Sequence, residues 1–293
     1  MTSLSLIYNP AAGGVARDFR LRAAVNEMEK LGARVRSVPT TGPGSATELA
    51  RDEIAAGATR IVVAGGDGTI NEAVNGFDTG RTELAIIPAG TANVLAIELG
   101  IPFNTRGAAR IAVKAKATPM DLGVAGDRYF TLMAGIGFDA LSIKNLNPVL
   151  KKTMRQAAFP ISGVKTFIKE ELPLLRIAGP GVSTEGYFVV ASNSRYYGGR
   201  FGPNPEASIT DGLLDVCVLK EKNLPGMLNF WFRALTSATL EDKGADYYRV
   251  SEFMVECPSR ETVLVQTDGD VTGELPMKFS VLPKGLQVCK GPL

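Results

Sequence analysis

Two apolar runs, Arg60–Ala64 and Leu84–Pro88, each pass straight into a glycine-bearing turn and then into a helical pattern. No other feature limits the fold as strongly. A strand that turns through glycine into a helix, repeated along a chain, requires a parallel sheet covered by helices on both sides. The pattern extends to the beginning of the sequence. Leu4–Tyr8 is a short apolar run closed by Asn9-Pro10 and Gly13-Gly14. Leu21, Ala24, Val25, Met28 and Leu31 then fall on one helical face, with Gly32 as the stop. Val35–Val38 reads as a second strand, and Ser45 with Glu48 as a capping box opening a helix through Ile54. Ile70, Ala73, Val74 and Phe77 share the face of the helix after the third strand. Val94, Leu95 and Leu99 share that of the next, which Gly100 and Pro102 end.

From about Met120 the texture changes. Tyr129–Met133, Gly186–Ser192, Leu213–Leu219, Val263–Gln266 and Lys278–Leu282 are short β-like runs separated by Gly, Pro and Asp-Gly turns. Amphipathic helices are scarce there, Met227–Leu235 being the clearest. The fold class expected is therefore an N-terminal parallel-sheet α/β domain followed by a mostly antiparallel β domain. A length of 293 residues suits two such units.

Composition removes several functions. Hydrophobic residues at 45% and charged residues at 21% are ordinary for a globular chain. A net charge of +2 argues against nucleic acid as a partner. Cys217, Cys257 and Cys289 have no paired spacing and read as reduced thiols of a cytoplasmic protein. The chain runs directly into Leu4–Tyr8 without a basic leader, so no signal peptide is expected, and no apolar stretch has the length of a membrane span. With no histidine, proton chemistry falls to carboxylates, lysine, tyrosine or cysteine.

The strongest chemical signal is Gly65-Gly66-Asp67-Gly68-Thr69, between an apolar strand and a helix. Glycines let main chain approach a phosphate without side-chain collision, and the following helix start offers unpaired N–H groups and a positive dipole end. Asp67 among these donors can hold Mg²⁺ through water. Gly90-Thr91-Ala92-Asn93 repeats the arrangement one unit later, with Thr91 and Asn93 as cap or ligand contact. Asn9 and Thr41 complete the rim, because ligands of such sheets bind beyond the carboxyl ends of the strands. A P-loop and a dinucleotide fingerprint are both missing. In the second half, Asp268 in Thr267-Asp268-Gly269-Asp270 follows an apolar strand and can take a proton from an attacking hydroxyl. Asp-Gly is also a common hairpin turn, so both readings stay open. Asp211 in Asp211-Gly212-Leu213-Leu214-Asp215 is similarly a turn residue or a hard-metal ligand.

Assembled, these residues resemble the bacterial diacylglycerol kinase family, related to sphingosine and ceramide kinases. The resemblance covers nearly the whole chain. It runs through Asn9-Pro10, Thr41 to Gly44-x-Ala46, Gly65 to Glu72, Gly90-Thr91-Ala92-Asn93 and Asp121-Leu122-Gly123. It continues through Gly135-x-Gly137-Phe138-Asp139-Ala140, Ser192-Asn193-x-x-x-Tyr197-Gly198-Gly199 and Asp211-Gly212-x-Leu214-Asp215-Val216 to Asp268-Gly269. It implies a nucleotide domain like that of NAD kinase and phosphofructokinase over residues 1–122, and a lipid-binding antiparallel β-sandwich-like domain over 123–275. The last segment, about 276–293, would return to the first domain. By the same resemblance Asp268 is the catalytic base; Asn9, Thr41, Gly65, Gly66, Asp67, Gly68, Thr69, Thr91 and Asn93 hold ATP. Asp211 binds Mg²⁺ with main-chain carbonyls nearby, Leu213 among them, while Asp67 and Asp121 reach metal through water. Two positions depart from the family: Asp270 stands where Glu is frequent, and Val94 where Asp is frequent.

The function expected is transfer of the γ-phosphate of ATP to a lipid hydroxyl, diacylglycerol or a related lipid. The rivals are a soluble-substrate kinase of the NAD kinase type and an inactive, nucleotide-responsive membrane-binding regulator. A lipid acceptor calls for peripheral contact with an anionic membrane, and a homodimer is compatible with the resemblance. Lys144, Lys151, Lys152, Arg155, Lys165 and Lys169, beside Phe159, Ile161, Phe167 and Ile168, form one basic and apolar stretch suited to such contact, or to a solvated face.

Overall fold

The structure is a computed structural model that describes residues 2–12, 17–138, 140–141, 172–197, 202–223, 225–227, 229, 244–259 and 261–292. The basic stretch between Asp139 and Glu170, and most of Met227–Leu235, lie outside the described residues. The chain divides into two compact units, one of residues 1–120 with 284–293, the other of 121–283.

The first unit alternates β1 (Thr2–Tyr8), α1 (Arg17–Lys30), β2 (Ala33–Pro39), α2 (Ser45–Ala55), β3 (Arg60–Gly65), α3 (Asp67–Val74), β4 (Glu83–Pro88), α4 (Val94–Glu98) and α5 (Thr105–Lys114). Strand order is β2-β1-β3-β4, all parallel. Ile61, Val62 and Val63 of β3 and Leu84, Ala85 and Ile86 of β4 are buried in succession. Consecutive burial, rather than alternation, is what a sheet covered on both faces produces. Arg60 fastens α5 to the amino end of this sheet. Its guanidinium donates to the carbonyls of Ala112 (2.8 Å) and Ala115 (3.1 Å) at the helix C-terminus and pairs with Glu83 at 2.6 Å.

β5 (Ala117–Ala125) leads into the second unit, which holds β6 (Arg128–Phe130), β7 (Met133–Gly137), β8 (Leu175–Gly179), β9 (Val182–Gly186), β10 (Phe188–Ser192), β11 (Leu214–Leu219), β12 (Ala245–Val250), β13 (Glu252–Glu256), β14 (Leu264–Thr267), β15 (Asp270–Glu274) and β16 (Met277–Cys289). One antiparallel sheet runs β12-β11-β10-β7-β14-β15. Against it stand β13, β8, β9 and the first residues of β16. The core between them alternates as half-buried strands do: Val189 and Ala191 of β10, Leu214, Val216 and Val218 of β11, and Val265 of β14 point inward. Phe253 and Phe279 stack at 5.1 Å across the facing layer. The last residues of β16 belong to the first unit, where Gln287 and Val288 pair in parallel with Glu83 and Leu84 of β4.

The α/β and antiparallel β-sandwich architecture is the one expected. Several local readings differ. Tyr129–Met133 is two strands rather than one run, because Asp268 occupies the amides of 131–133. Ser45 does not cap α2: its hydroxyl donates back to the Gly42 carbonyl (2.6 Å), and Gly44, at φ 83°, stands at the cap position.

Candidate active site

The nucleotide candidates gather at the carboxyl ends of β1, β3 and β4. Asn9 ends β1, and its side-chain amide donates to the Thr69 hydroxyl at 3.3 Å. A Cβ placed on Gly65 would fall 2.7 Å from Thr69 Cβ, and one on Gly90 would fall 2.4 Å from Gly66 Cα. The two glycine turns therefore lie main chain against main chain, and only glycine permits that spacing. Asn93, in a left-handed conformation at φ 49°, accepts from Gly90 N at 2.8 Å and donates to Gly90 O at 2.9 Å, which closes the second turn on itself. Asp67 bridges the turns. It stands in the first turn of α3, yet its Oδ1 accepts from Leu95 N in α4 at 3.1 Å. The carboxylate thus caps a helix other than its own.

Thr41 follows β2 on the same edge of the unit, where Thr40 N donates to Tyr8 O at 2.9 Å. The Thr41 amide donates to Ser45 Oγ at 3.1 Å. Glu72 of α3 secures this loop by accepting from Gly44 N at 3.0 Å. Gly68 lies within α3, and Thr91 in the turn before Asn93.

In the second unit Asp268 and Gly269 have φ of 50° and 94° and form the two-residue loop between β14 and β15, where Thr267 pairs with Asp270. Two successive residues with positive φ are the signature of a tight hairpin turn. The Asp268 side chain is unlike an ordinary turn aspartate. Oδ2 accepts from Thr131 N (2.7 Å) and the Thr131 hydroxyl (2.8 Å), and Oδ1 from Leu132 N (2.9 Å) and Met133 N (3.0 Å). A carboxylate has about four acceptor positions, and these donors fill them. Burial pushes the carboxyl above its ordinary range, against the pull of the Thr131, Met133 and Leu132 N–H groups. The hairpin and functional readings of Asp268-Gly269 are therefore compatible.

Asn193 ties this nest to Asp121. Its buried side-chain amide donates to the carbonyls of Asp121 and Thr131, both at 2.9 Å. Asp121 in turn accepts from Gly212 N at 2.7 Å, so its carboxylate meets the turn that carries Asp211. Asp211 accepts from Leu213 N at 3.1 Å and forms an ion pair with Arg249. The Arg249 guanidinium also reaches Asp215 at 3.4 Å, and Tyr247 donates to the same carboxylate. Asp215 is wholly buried, and burial pushes its carboxyl up to about 6 against the pull of Arg249.

That shift carries a stability consequence. The folded-state value exceeds the unfolded one of 3.8, so the contribution of Asp215 is full below pH 3.8 and is lost as pH rises through about 6. Two pKa units correspond to roughly 3 kcal/mol. Asp215→Asn, which cannot titrate, is expected to gain stability relative to the parent between pH 4 and pH 7. Thermal midpoints of both proteins across that range check it; parallel curves would refute it.

Among the described residues no group of three or more His, Cys, Asp or Glu side chains forms a metal cluster. The donors present are nevertheless oxygen only: Asp121 and Asp211 around the Gly212 turn, and Asp67 between the glycine turns. Asp121 with Asp211 in the second unit, and Asp67 in the first, each by themselves fit Mg²⁺, which needs one or two carboxylates and keeps several waters. Arg249 holds Asp211 in this structure, so a cation there would share or displace that guanidinium.

Three connections were not legible in the sequence. Asp67 and Leu95, Glu72 and Gly44, and Asn193 with Asp121 and Thr131 are tertiary pairings between distant residues. The available signals were a glutamate directly after Asn71 and a lone asparagine closing an apolar strand.

Comparison with known proteins gives the same assignment at both ends of the chain. Residues 3–125 match the family model described as the diacylglycerol kinase catalytic domain. Residues 132–290 match the YegS C-terminal NAD kinase beta sandwich-like domain. A protein named diacylglycerol kinase from Bacillus subtilis (strain 168) is 30% identical, covering 98% of this chain and 96% of the relative. One named "Probable lipid kinase YegS-like" from Pseudomonas aeruginosa (strain UCBPP-PA14) is 32% identical over 94% of this chain and 91% of its own length. The crystal structure of a diacylglycerol kinase from Bacillus anthracis str. Sterne superposes with a TM-score of 0.79 at 26% identity, covering 99% of this chain and 97% of that one. Glycine turns in contact on a parallel sheet, an aspartate nested by amides on a β-sandwich and relatives spanning the full length place this chain in the diacylglycerol kinase and YegS-like lipid kinase family, phosphotransferases with an alcohol acceptor.

Proposed function

We propose that this protein transfers the γ-phosphate of ATP, with Mg²⁺, to the hydroxyl of diacylglycerol or a closely related lipid. The observation that carries this reading is the contact of the Gly65–Thr69 and Gly90–Asn93 turns at the strand carboxyl ends of the first unit. The first turn opens α3, and a helix start offers N–H groups that stabilise anionic phosphate oxygens. Asn9 and Thr41 flank them, and residues 1–120 with 284–293 are assigned to the nucleotide. The second unit is assigned to the lipid.

Asp268 is the proposed base. The lipid O–H proton passes to its carboxylate as the lipid oxygen bonds to the γ-phosphorus and the bond to the β-phosphate oxygen of departing ADP breaks. Its raised pKa strengthens it as a proton acceptor over an ordinary aspartate. All its acceptor positions are filled, so one donor must yield to the substrate. The Thr131 hydroxyl can do so by rotating, whereas the three amides cannot. Asp211 with the Leu213 carbonyl would hold a structural Mg²⁺, and Asp67 and Asp121 would reach metal through water; Mg²⁺ when bound would neutralise charge on the phosphates. Val94 leaves the metal and water network one carboxylate short of the family pattern, and Asp270 gives a shorter acidic arm after Asp268-Gly269.

The test is transfer of labelled γ-phosphate from ATP into a panel of diacylglycerol, ceramide, sphingoid base and phosphatidylglycerol in anionic mixed micelles. A labelled lipid whose appearance requires Mg²⁺ is expected. Label in a soluble acceptor without lipid would instead favour the NAD kinase type. Vesicle binding without ATP consumption would favour a regulator.

A further inference from the structure

A lipid kinase must meet its substrate at a bilayer, and α1 and α5 carry a surface suited to that. The two helices are parallel neighbours. The C-terminus of α5 is fastened to Arg60 at the start of β3, and α1 ends immediately before β2. Both therefore finish at the amino edge of the parallel sheet and begin at the carboxyl edge, where Asn9 and the glycine turns sit. The Arg110–Glu27 ion pair at 2.8 Å sets their register. Arg106 lies one turn before Arg110, and Phe103 just ahead of the Asn104 cap of α5; Arg20 and Phe19 lie about two turns before Glu27, so all four belong to the N-terminal ends of the two helices.

Phe19 is 78% exposed and Phe103 is 54% exposed, the two most exposed large apolar side chains among the described residues. A single exposed phenylalanine is ordinary, but two at the same end of a neighbouring helix pair call for an explanation. Its surroundings are basic. Arg20, Arg22 and Arg106 are exposed, and Glu27 between the helices is neutralised by Arg110, with Lys30 and Arg106 adding positive field. Aromatic side chains framed by arginine suit the boundary between acyl chains and anionic headgroups. Asp18 is the acid nearest this end of α1 and is outnumbered there.

We infer that the α1–α5 end bearing Phe19, Phe103, Arg20 and Arg106 is the surface with which this protein lies on an anionic bilayer. The inference rests on the lipid-kinase reading and names the surface that serves it. Insertion of the two rings would hold the carboxyl edge of the nucleotide unit toward the membrane.

Sedimentation with vesicles of phosphatidylglycerol and phosphatidylcholine tests it, using Phe19→Ser/Phe103→Ser and Arg20→Glu/Arg106→Glu double variants. Each is expected to lower the vesicle partition constant at least about tenfold, since one basic residue alone contributes roughly fivefold. The arginine variant should also lose most of the salt dependence. All four side chains are exposed, so thermal midpoints and ATP-analogue binding are expected to match the parent. Phosphorylation of a short-chain, monomeric diacylglycerol is expected to persist in both variants while phosphorylation in vesicles falls. Parent-like vesicle binding by both variants would overturn the surface while leaving the kinase reading intact. The same holds if Phe19→Ser/Phe103→Ser turns a dimer into a monomer with vesicle binding unchanged, which would make the patch an interface between copies. Absence of any lipid phosphorylation by the parent would instead remove the kinase reading, and sedimentation would still decide the surface.

Discussion

Asp268→Asn is expected to abolish phosphorylation of lipid, by about a thousandfold or more, while ATP binding stays within about twofold of the parent. An amide cannot accept the substrate proton. It also places an NH₂ group where one carboxylate oxygen accepts, against either the Thr131 N–H or the Leu132 and Met133 N–H groups. Hydrogen bonds to a charged acceptor are worth about 1.5–3 kcal/mol each, so a lower thermal midpoint should accompany the lost turnover. Lost activity alone would therefore not identify the base. Thr131→Val separates the two effects. It removes the hydroxyl donor to Oδ2 but keeps all three amides, and that hydroxyl lowers the Asp268 pKa. Without it the value rises further, so the acidic limb of the kcat–pH profile should move to higher pH. The folded state should change little by comparison. An unmoved limb would assign the titration to another group, and full activity in Asp268→Asn would remove this residue from the chemistry.

Gly90→Ala is expected to weaken ATP binding by about a hundredfold and to destabilise the first unit by about 1–3 kcal/mol, as overpacking does. The new methyl would lie 2.4 Å from Gly66 Cα and 2.9 Å from Asn93 Oδ1. Neither neighbour is a flexible side-chain end; one is main chain and the other is bound to Gly90 itself. The turns must part, and the donors proposed to hold phosphate part with them. Gly66→Ala gives a milder contact, 3.2 Å from Gly90 Cα, and should fall between Gly90→Ala and the parent. Gly42→Ala meets nothing within 4 Å and serves as the neutral control. Calorimetric titration with an ATP analogue measures the series; equal affinities across it would mean that the contact between the turns does not shape the nucleotide site.

The limits of the sequence reading follow from how far each signal travels along the chain. β3 and β4 were readable because an apolar run, a glycine and a helical face are neighbours in sequence. β12 was not, since Ala245–Val250 is mostly polar or aromatic and only half-buried, without an alternating apolar face. The Ser45 capping box failed because that hydroxyl turns back into its own loop, a competition local spacing cannot reveal. For Asp268 the sequence offered a turn and a base as alternatives. The hairpin supplies the strained turn, and the 131–133 amides supply the unusual environment, from more than one hundred residues away. Asp67 was readable as an acid in a glycine turn that opens a helix, but not as the cap of α4.

The parallel pairing of Gln287 and Val288 with β4 also bears on the birth of the protein. At a ribosomal rate of about 5–20 residues per second, β4 emerges roughly 200 residues, or about 10–40 s, before its outer partner exists. Throughout that interval one flank of the newborn nucleotide unit presents the unpaired N–H and C=O groups of a strand as apolar as Leu84–Ile87. Chaperone dependence during synthesis, and aggregation of chains stalled before Gln287, are what such an open seam would bring.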